Sequence, residues 1–219
     1  MNILELSEQE IIRRQSLDEL RALGVEPYPA VLYEVNAYSK EIKESFQDDA
    51  DKRYVSLAGR IMGRRIMGKA SFMELQDSEG RIQVYISRDD LCPDENKELY
   101  NTVFKKLLDI GDFVGVKGFV FRTQMGEISV HAEELTVLGK SLRPLPVVKV
   151  KDGVTYDGFT DPEQRYRQRY VDLVVNDNVK DVFLKRTKVF NSMREFLNGH
   201  GYIEVDTPVL QSIPGGATA

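Results

Sequence analysis

Residues 63–87 read GRRIMGKASFMELQDSEGRIQVYIS. Gly63, Gly68 and Lys69 fit the phosphate-cradling pattern G-x-x-x-x-G-K, which requires a Ser or Thr next and then a helix. The next residue is Ala70, which has no hydroxyl to offer magnesium. Nor is the next segment helical. Residues 69–77 alternate polar and apolar with period two, as a half-buried strand does. Asp77-Ser78-Glu79-Gly80 is a turn signal. Residues 81–87 make another strand, with Ile82, Val84 and Ile86 on one face. The stretch is a β-hairpin, and its glycines let the chain bend between strands.

The same texture extends outward. Residues 54–65 alternate, with Val55, Leu57 and Ile61 among the inward positions. Residues 95–109 repeat Leu99, Val103 and Leu107 at near-helical spacing. Residues 112–122 and 127–138 form a second hairpin around Thr123-Gln124-Met125-Gly126. Three strands, a helix and two strands is the order of the five-stranded OB-fold barrel. Another small β-barrel or an open sheet has the same pattern.

Before the barrel, Ser7-Glu8-Gln9-Glu10 is a capping box. It opens a helix with Ile12, Leu20 and Leu23 near one face, stopped by Gly24, Pro27 and Pro29. Residues 37–46 predict a short second helix burying Ile42 and Phe46, and QDDADKR (47–53) is a charged linker. After the barrel, residues 141–164 are rich in Pro and Gly and weakly periodic, as in a linker. QRYRQRYVDLVVND predicts a helix. A longer helix comes next, with Val182, Val189, Met193 and Phe196 on one face, and Gly199 or Gly201 ends it. Tyr202–Thr207 predicts a short strand closed by Pro208. That last helix and strand have little left to pack against, which predicts the opening of a larger domain. The expected domains are 1–52 (helical extension), 53–140 (OB-fold), 141–171 (linker) and 172–219 (start of the further domain).

The chain has 219 residues, 42% hydrophobic and 30% charged, with net charge −5. It is no polycation, so nucleic acid must be met by a local basic patch. Cys92 is alone, which excludes a disulfide and a cysteine metal cluster. No apolar run reaches the ~18 residues of a membrane span, and the N-terminus has no signal-peptide pattern, so no membrane partner and a cytoplasmic location are expected.

With residues 69–77 on a strand, Met73 and Leu75 face the core. Phe72 is then left outside, near Arg64, Arg65 and Lys69. Across the turn, Gln83 and Tyr85 are the outward residues, and Gln83 stands diagonal to Phe72. An aromatic platform, an amide and arginines suit single-stranded nucleic acid on strands two and three of an OB-fold. The same residues also fit a plainer picture, in which Phe72 packs beneath the N-terminal helix and the arginines are solvated.

RRIMGKASFMELQD, RIQVYI, RPLP and DPEQRYRQRYVDL together resemble the bacterial-type lysyl-tRNA synthetases, a class II family. GYIEVDTPVL (201–210) resembles class II motif 1, and IPGGATA continues as that family does. The aspartyl and asparaginyl relatives share the barrel but not the RIMGKASF wording. The resemblance runs from about residue 50 to the last residue, and is weaker over the N-terminal helix and GVEPYP. It implies a mainly β fold with α. An OB-fold anticodon-binding barrel would be preceded by an N-terminal helix and followed by the start of an α+β catalytic domain. It implies that Phe72 stacks on the central uridine of the tRNA(Lys) anticodon, that Arg65 and Gln83 hydrogen-bond that base, and that Glu127 adds a contact. Arg64 would reach phosphate. Gly201 through Pro208 would lie at a homodimer interface, and Gly216 would line the lysine pocket, although Gly215-Gly216 also reads as a flexible turn.

The family uses ATP and magnesium to make lysyl-adenylate and then passes lysine to the tRNA. Its motifs 2 and 3 fall beyond residue 219. The 219 residues alone are therefore expected to hold no catalytic residue, cofactor or metal, and to be inactive. Two other readings are a sequence-tolerant single-strand-binding OB module and a dimerisation piece. Cys92 reads as an accessible thiol, His131 as a solvent-facing strand residue, and His200 as a partner of a helix C-terminus. Arg165, Arg167 and Arg169, set among Asp161, Glu163 and Asp172, read as a salt-bridged face.

Overall fold

The computed structural model describes residues 6–48, 51–146, 149–151, 154–156 and 158–208. The chain divides into two compact units, residues 1–145 and 146–219.

In the first unit, β1 (Tyr54–Met67), β2 (Ala70–Gln76), β3 (Arg81–Ser87), β4 (Phe113–Arg122) and β5 (Ile128–Gly139) close into a barrel. The order is β1-β2-β3-β5-β4, and β4 returns to β1. Only β3 and β5 run parallel. Parallel neighbours cannot be joined by a hairpin, so the chain crosses back through α3 (Arg88–Leu91), α4 (Leu99–Leu107) and β4. This is the OB arrangement expected from the order of strands. Period two holds around the ring: Leu57, Ile61, Met73, Leu75, Ile82, Val84 and Ile86 are buried in one core.

Close approach requires glycine at position 118. A β-bulge falls between Lys117 and Gly118, and a Cβ on Gly118 would lie 1.8 Å from the His131 carbonyl oxygen. Gly68, at φ +63° in the β1–β2 turn, takes the left-handed conformation that a bend needs. Of the two P-loop-like glycines, Gly68 thus turns the hairpin, whereas Gly63 pairs with Glu74 inside β1, at the edge of a bulge.

Helix α4 differs from expectation in its winding. Leu108 N–H donates to the Val103 carbonyl at 3.0 Å, a five-residue step, and the element is a π-helix. The wider coil turns Tyr100, Phe104 and Leu108 inward beside Val103 and Leu107. The Tyr100 hydroxyl is satisfied by Ser71 Oγ at 2.8 Å and the Gly68 carbonyl at 3.1 Å.

The capping box of α1 (Glu8–Ala22) forms as read, but its face does not. Ile12 and Leu23 are exposed, and the buried stripe is Arg13, Ser16, Leu17 and Leu20. That is regular helical spacing, hidden from a hydrophobicity reading because two members are polar. Arg13 is tolerated there because its guanidinium donates to the Ser141 and Ile110 carbonyls at 3.0 and 2.9 Å. Nearby, buried Lys140 reaches Asp112 at 2.8 Å. Burial pushes the Asp112 carboxyl upward, against Lys140 and the amides of Asp109 and Ser141.

Helix α2 (Ser39–Ser45) buries Ile42, with Phe46 half-buried against the core. Cys92, expected to be accessible, is buried in the core behind α3.

In the second unit, the expected linker carries a small hairpin, β6 (Lys149–Lys151) with β7 (Val154–Tyr156). The helix expected over 164–177 is two, α5 (Pro162–Arg167) and α6 (Arg169–Val175), parted where Gln168 leaves helical geometry. Helix α7 (Asp177–Gly199) ends in a left-handed Gly201. Gly201 N–H donates to Asn198 and Tyr202 N–H to Leu197, the paired bonds of a Schellman cap. Residues 202–207 form no strand: a strand needs a neighbour, and the described residues supply none there.

Candidate nucleic-acid interface

Strands β2 and β3 present the site. Their register sets Phe72 opposite Tyr85 and Glu74 opposite Gln83, so Gln83 is diagonal to Phe72. On the other side, Arg65 of β1 stands opposite Phe72. The Phe72 and Tyr85 rings lie 5.3 Å apart and tilted, which steadies Phe72 while leaving it half-buried. These residues line a groove of ≈ 1010 Å³, walled on its far side by Thr123, Gln124, Met125 and Glu127 of the β4–β5 turn. Arg65, Phe72, Gln83 and Glu127, separated by up to 62 positions in the chain, meet in this one groove.

Arg64 also lines the groove. It donates to the Phe104 carbonyl at 2.6 Å, at the end of α4. Burial pulls its pKa down, opposed by Asp109 and Asp112. One of the five guanidinium N–H groups of Arg64 is thus taken by the helix, and Arg65 is the more exposed of the two arginines.

Lys43 of α2 completes the wall, 3.0 Å from Glu127 Oε1. It was invisible in sequence because it arrives from outside the barrel. The groove's four cations (Lys43, Arg64, Arg65, Arg81) outnumber its carboxylates, Glu74 and Glu127. A chain of net charge −5 thus has a basic groove.

Aromatic rings extend the face. Tyr85 meets Phe121 at 6.0 Å and His131 at 5.0 Å, and His131 stacks on Phe119 at 4.8 Å. Phe119 and Phe121 flank buried Val120, a period-two signal that would have found them. His131 is half-buried in this cluster, with Nε2 2.9 Å from Asp90, rather than solvent-facing. The remaining charged readings hold: Arg165 and Arg169 bind Asp172, Arg167 binds Glu163, and His200 meets the Phe196 carbonyl at 2.8 Å.

Gly201 and Pro208 lie in the second unit, at the cap and beyond it, and Gly216 lies outside the described residues. Among the described residues no group of three or more His, Cys, Asp or Glu side chains is placed to hold a metal ion, and no helix is long and apolar enough to cross a membrane.

Residues 55–138 match the family of OB-fold nucleic acid binding domains, and residues 161–219 match the class II tRNA synthetases (D, K and N). The lysine–tRNA ligase of Porphyromonas gingivalis (strain ATCC BAA-308 / W83) is 75% identical over the whole chain, which covers 38% of that relative. Those of Azobacteroides pseudotrichonymphae genomovar. CFP2 and Christiangramia forsetii (strain DSM 17595 / CGMCC 1.15422 / KT0803) are 68% and 57% identical over 98% of the chain, or 43% and 37% of their own lengths. The chain thus spans less than half the length of these relatives.

Proposed function

Because the chain belongs to the lysine–tRNA ligase family, whose N-terminal portion it matches, we propose that the β2–β3 groove binds the anticodon loop of tRNA(Lys). The observation that carries this reading is the meeting of Arg65, Phe72, Gln83 and Glu127 in one basic groove. Phe72 offers a ring face for a base, worth about 1–3 kcal/mol in such sites. A uracil edge presents two carbonyl oxygens around one N–H. Arg65 and the Gln83 amide donate to the oxygens, and the Gln83 oxygen or the Glu127 carboxylate accepts the N–H.

For the whole protein we propose the family's reaction, the ATP- and magnesium-dependent joining of lysine to tRNA(Lys), in the cytoplasm. The described residues include no metal-binding cluster, and no chemical step is assigned to them. Gly201 and Pro208 are proposed to lie at a homodimer interface, and Gly216 in the lysine pocket.

The test is binding of a fluorescent stem-loop carrying UUU beside one with its central U changed to G, at two salt concentrations. About a tenfold preference for UUU, ~1.4 kcal/mol, abolished by Phe72→Ala, supports the reading. Equal binding with a steep salt slope would mean phosphate contact alone and favour a sequence-tolerant single-strand module.

A further inference from the structure

We infer that Lys43 is a positioning residue for base recognition: it holds one oxygen of Glu127 so that the other faces the bound base. This rests on the anticodon-groove reading of the site.

Lys43 is rigidly mounted. Helix α2 is pinned to the β2–β3 turn where Ser39 N–H and Oγ donate to the two oxygens of Asp77, at 2.6 and 2.7 Å. Ile42, the residue before Lys43, is 1% exposed in the core. The hairpin that carries Phe72 and Gln83 therefore also carries the ammonium across the groove.

Glu127 needs such a partner. Its backbone is set by the β4–β5 turn: its N–H donates to Thr123 Oγ1 at 3.1 Å, and its carbonyl accepts from Thr123 N–H at 2.9 Å. Its carboxylate has one hydrogen bond among the described residues, from Lys43 to Oε1, which leaves Oε2 open toward the groove. An exposed pair of this kind adds little to stability, so its consequence lies in where it points the carboxylate. Charge argues the same way. A bare carboxylate would repel a phosphate chain, and the other groove carboxylate, Glu74, is likewise matched, with Arg81 at 3.4 Å.

A carboxylate oxygen accepts from uracil N3–H but opposes the lone pair of cytosine N3. The experiment measures binding of the full chain to UUU stem-loops in which each anticodon uridine in turn is changed to cytidine. The wild type should disfavour cytidine by about tenfold where Glu127 reads, and Glu127→Gln should erase that preference at one position. Lys43→Met should lower the preference severalfold at the same position only, with Lys43→Arg restoring it and the double variant no worse than Glu127→Gln alone. Lys43→Gln repeats the test if Lys43→Met melts early. If Lys43 variants weaken all loops equally with a shallower salt slope, or change nothing, the positioning role is overturned. If the wild type prefers uridine nowhere, the anticodon reading itself fails, and this inference falls with it.

Discussion

Arg64 and Arg65 are consecutive, yet they face opposite sides of the barrel wall. Arg64 pairs across the strands with buried Met73 and Arg65 with outward Phe72. The bulge between Ile61 and Gly63 decides which is which. Counting by twos from buried Ile61 would send Arg65 inside. The extra residue of the bulge reverses the parity.

The two arginines should therefore separate stability from binding. Arg64→Ala removes a charged hydrogen bond to the Phe104 carbonyl and should cost about 1–3 kcal/mol, seen in thermal melting. Arg65→Ala should change stability by less than about 0.5 kcal/mol and weaken stem-loop binding. Equal melting temperatures for the two variants would contradict this division.

Phe72→Ala should lose about 1–3 kcal/mol of stem-loop affinity, while Phe72→Tyr keeps most of it because the ring face is retained. Fluorescence anisotropy reads both. An alanine variant that binds like the wild type would remove Phe72 from the site.

Lys140→Met leaves Asp112 buried beside an apolar chain. It should destabilise the first unit by about 3–5 kcal/mol, as breaking a buried pair does. Adding Asp112→Asn should recover part of that loss, since a neutral amide is cheaper to bury than an unpaired carboxylate. Denaturant unfolding of the three variants measures the coupling.

Asp172 predicts an acid response in the second unit. Burial pushes its carboxyl up, but hydrogen bonds from Asn176 and Arg165 and the charges of Arg165 and Arg169 outweigh it, and the net shift is below the ordinary 3.8. A depressed carboxyl adds stability above its unfolded value and loses it as pH falls through the folded one. Asp172→Asn should therefore be less stable near neutral pH, with the gap closing below pH 3.8. Helical circular dichroism during melting checks it: a gap that persists unchanged in acid would refute the charge argument.

Gly118→Ala meets the His131 carbonyl at 1.8 Å, where only backbone can yield. The barrel should lose more than about 3 kcal/mol, as strained small-to-large changes do at the severe end, with β4–β5 amides exchanging first.

Much of this molecule is legible in its sequence. Period-two alternation alone assigns the faces of β2 and β3, because successive side chains on a strand must point oppositely. The short 77–80 turn then sets the diagonal of Phe72 and Gln83. What alternation cannot carry is an inserted residue, a partner from another element or a polar member of a buried stripe. The bulge that turned Arg64 inward, the π-coil that buried Tyr100 and Phe104, the Arg13 stripe and the Lys43–Glu127 pair all depend on contacts between distant segments. Local sequence determined the strands, their order and the aromatic-amide pair. Tertiary packing alone decided which arginine is the more exposed, because it depends on which carbonyl a folded neighbour leaves within reach.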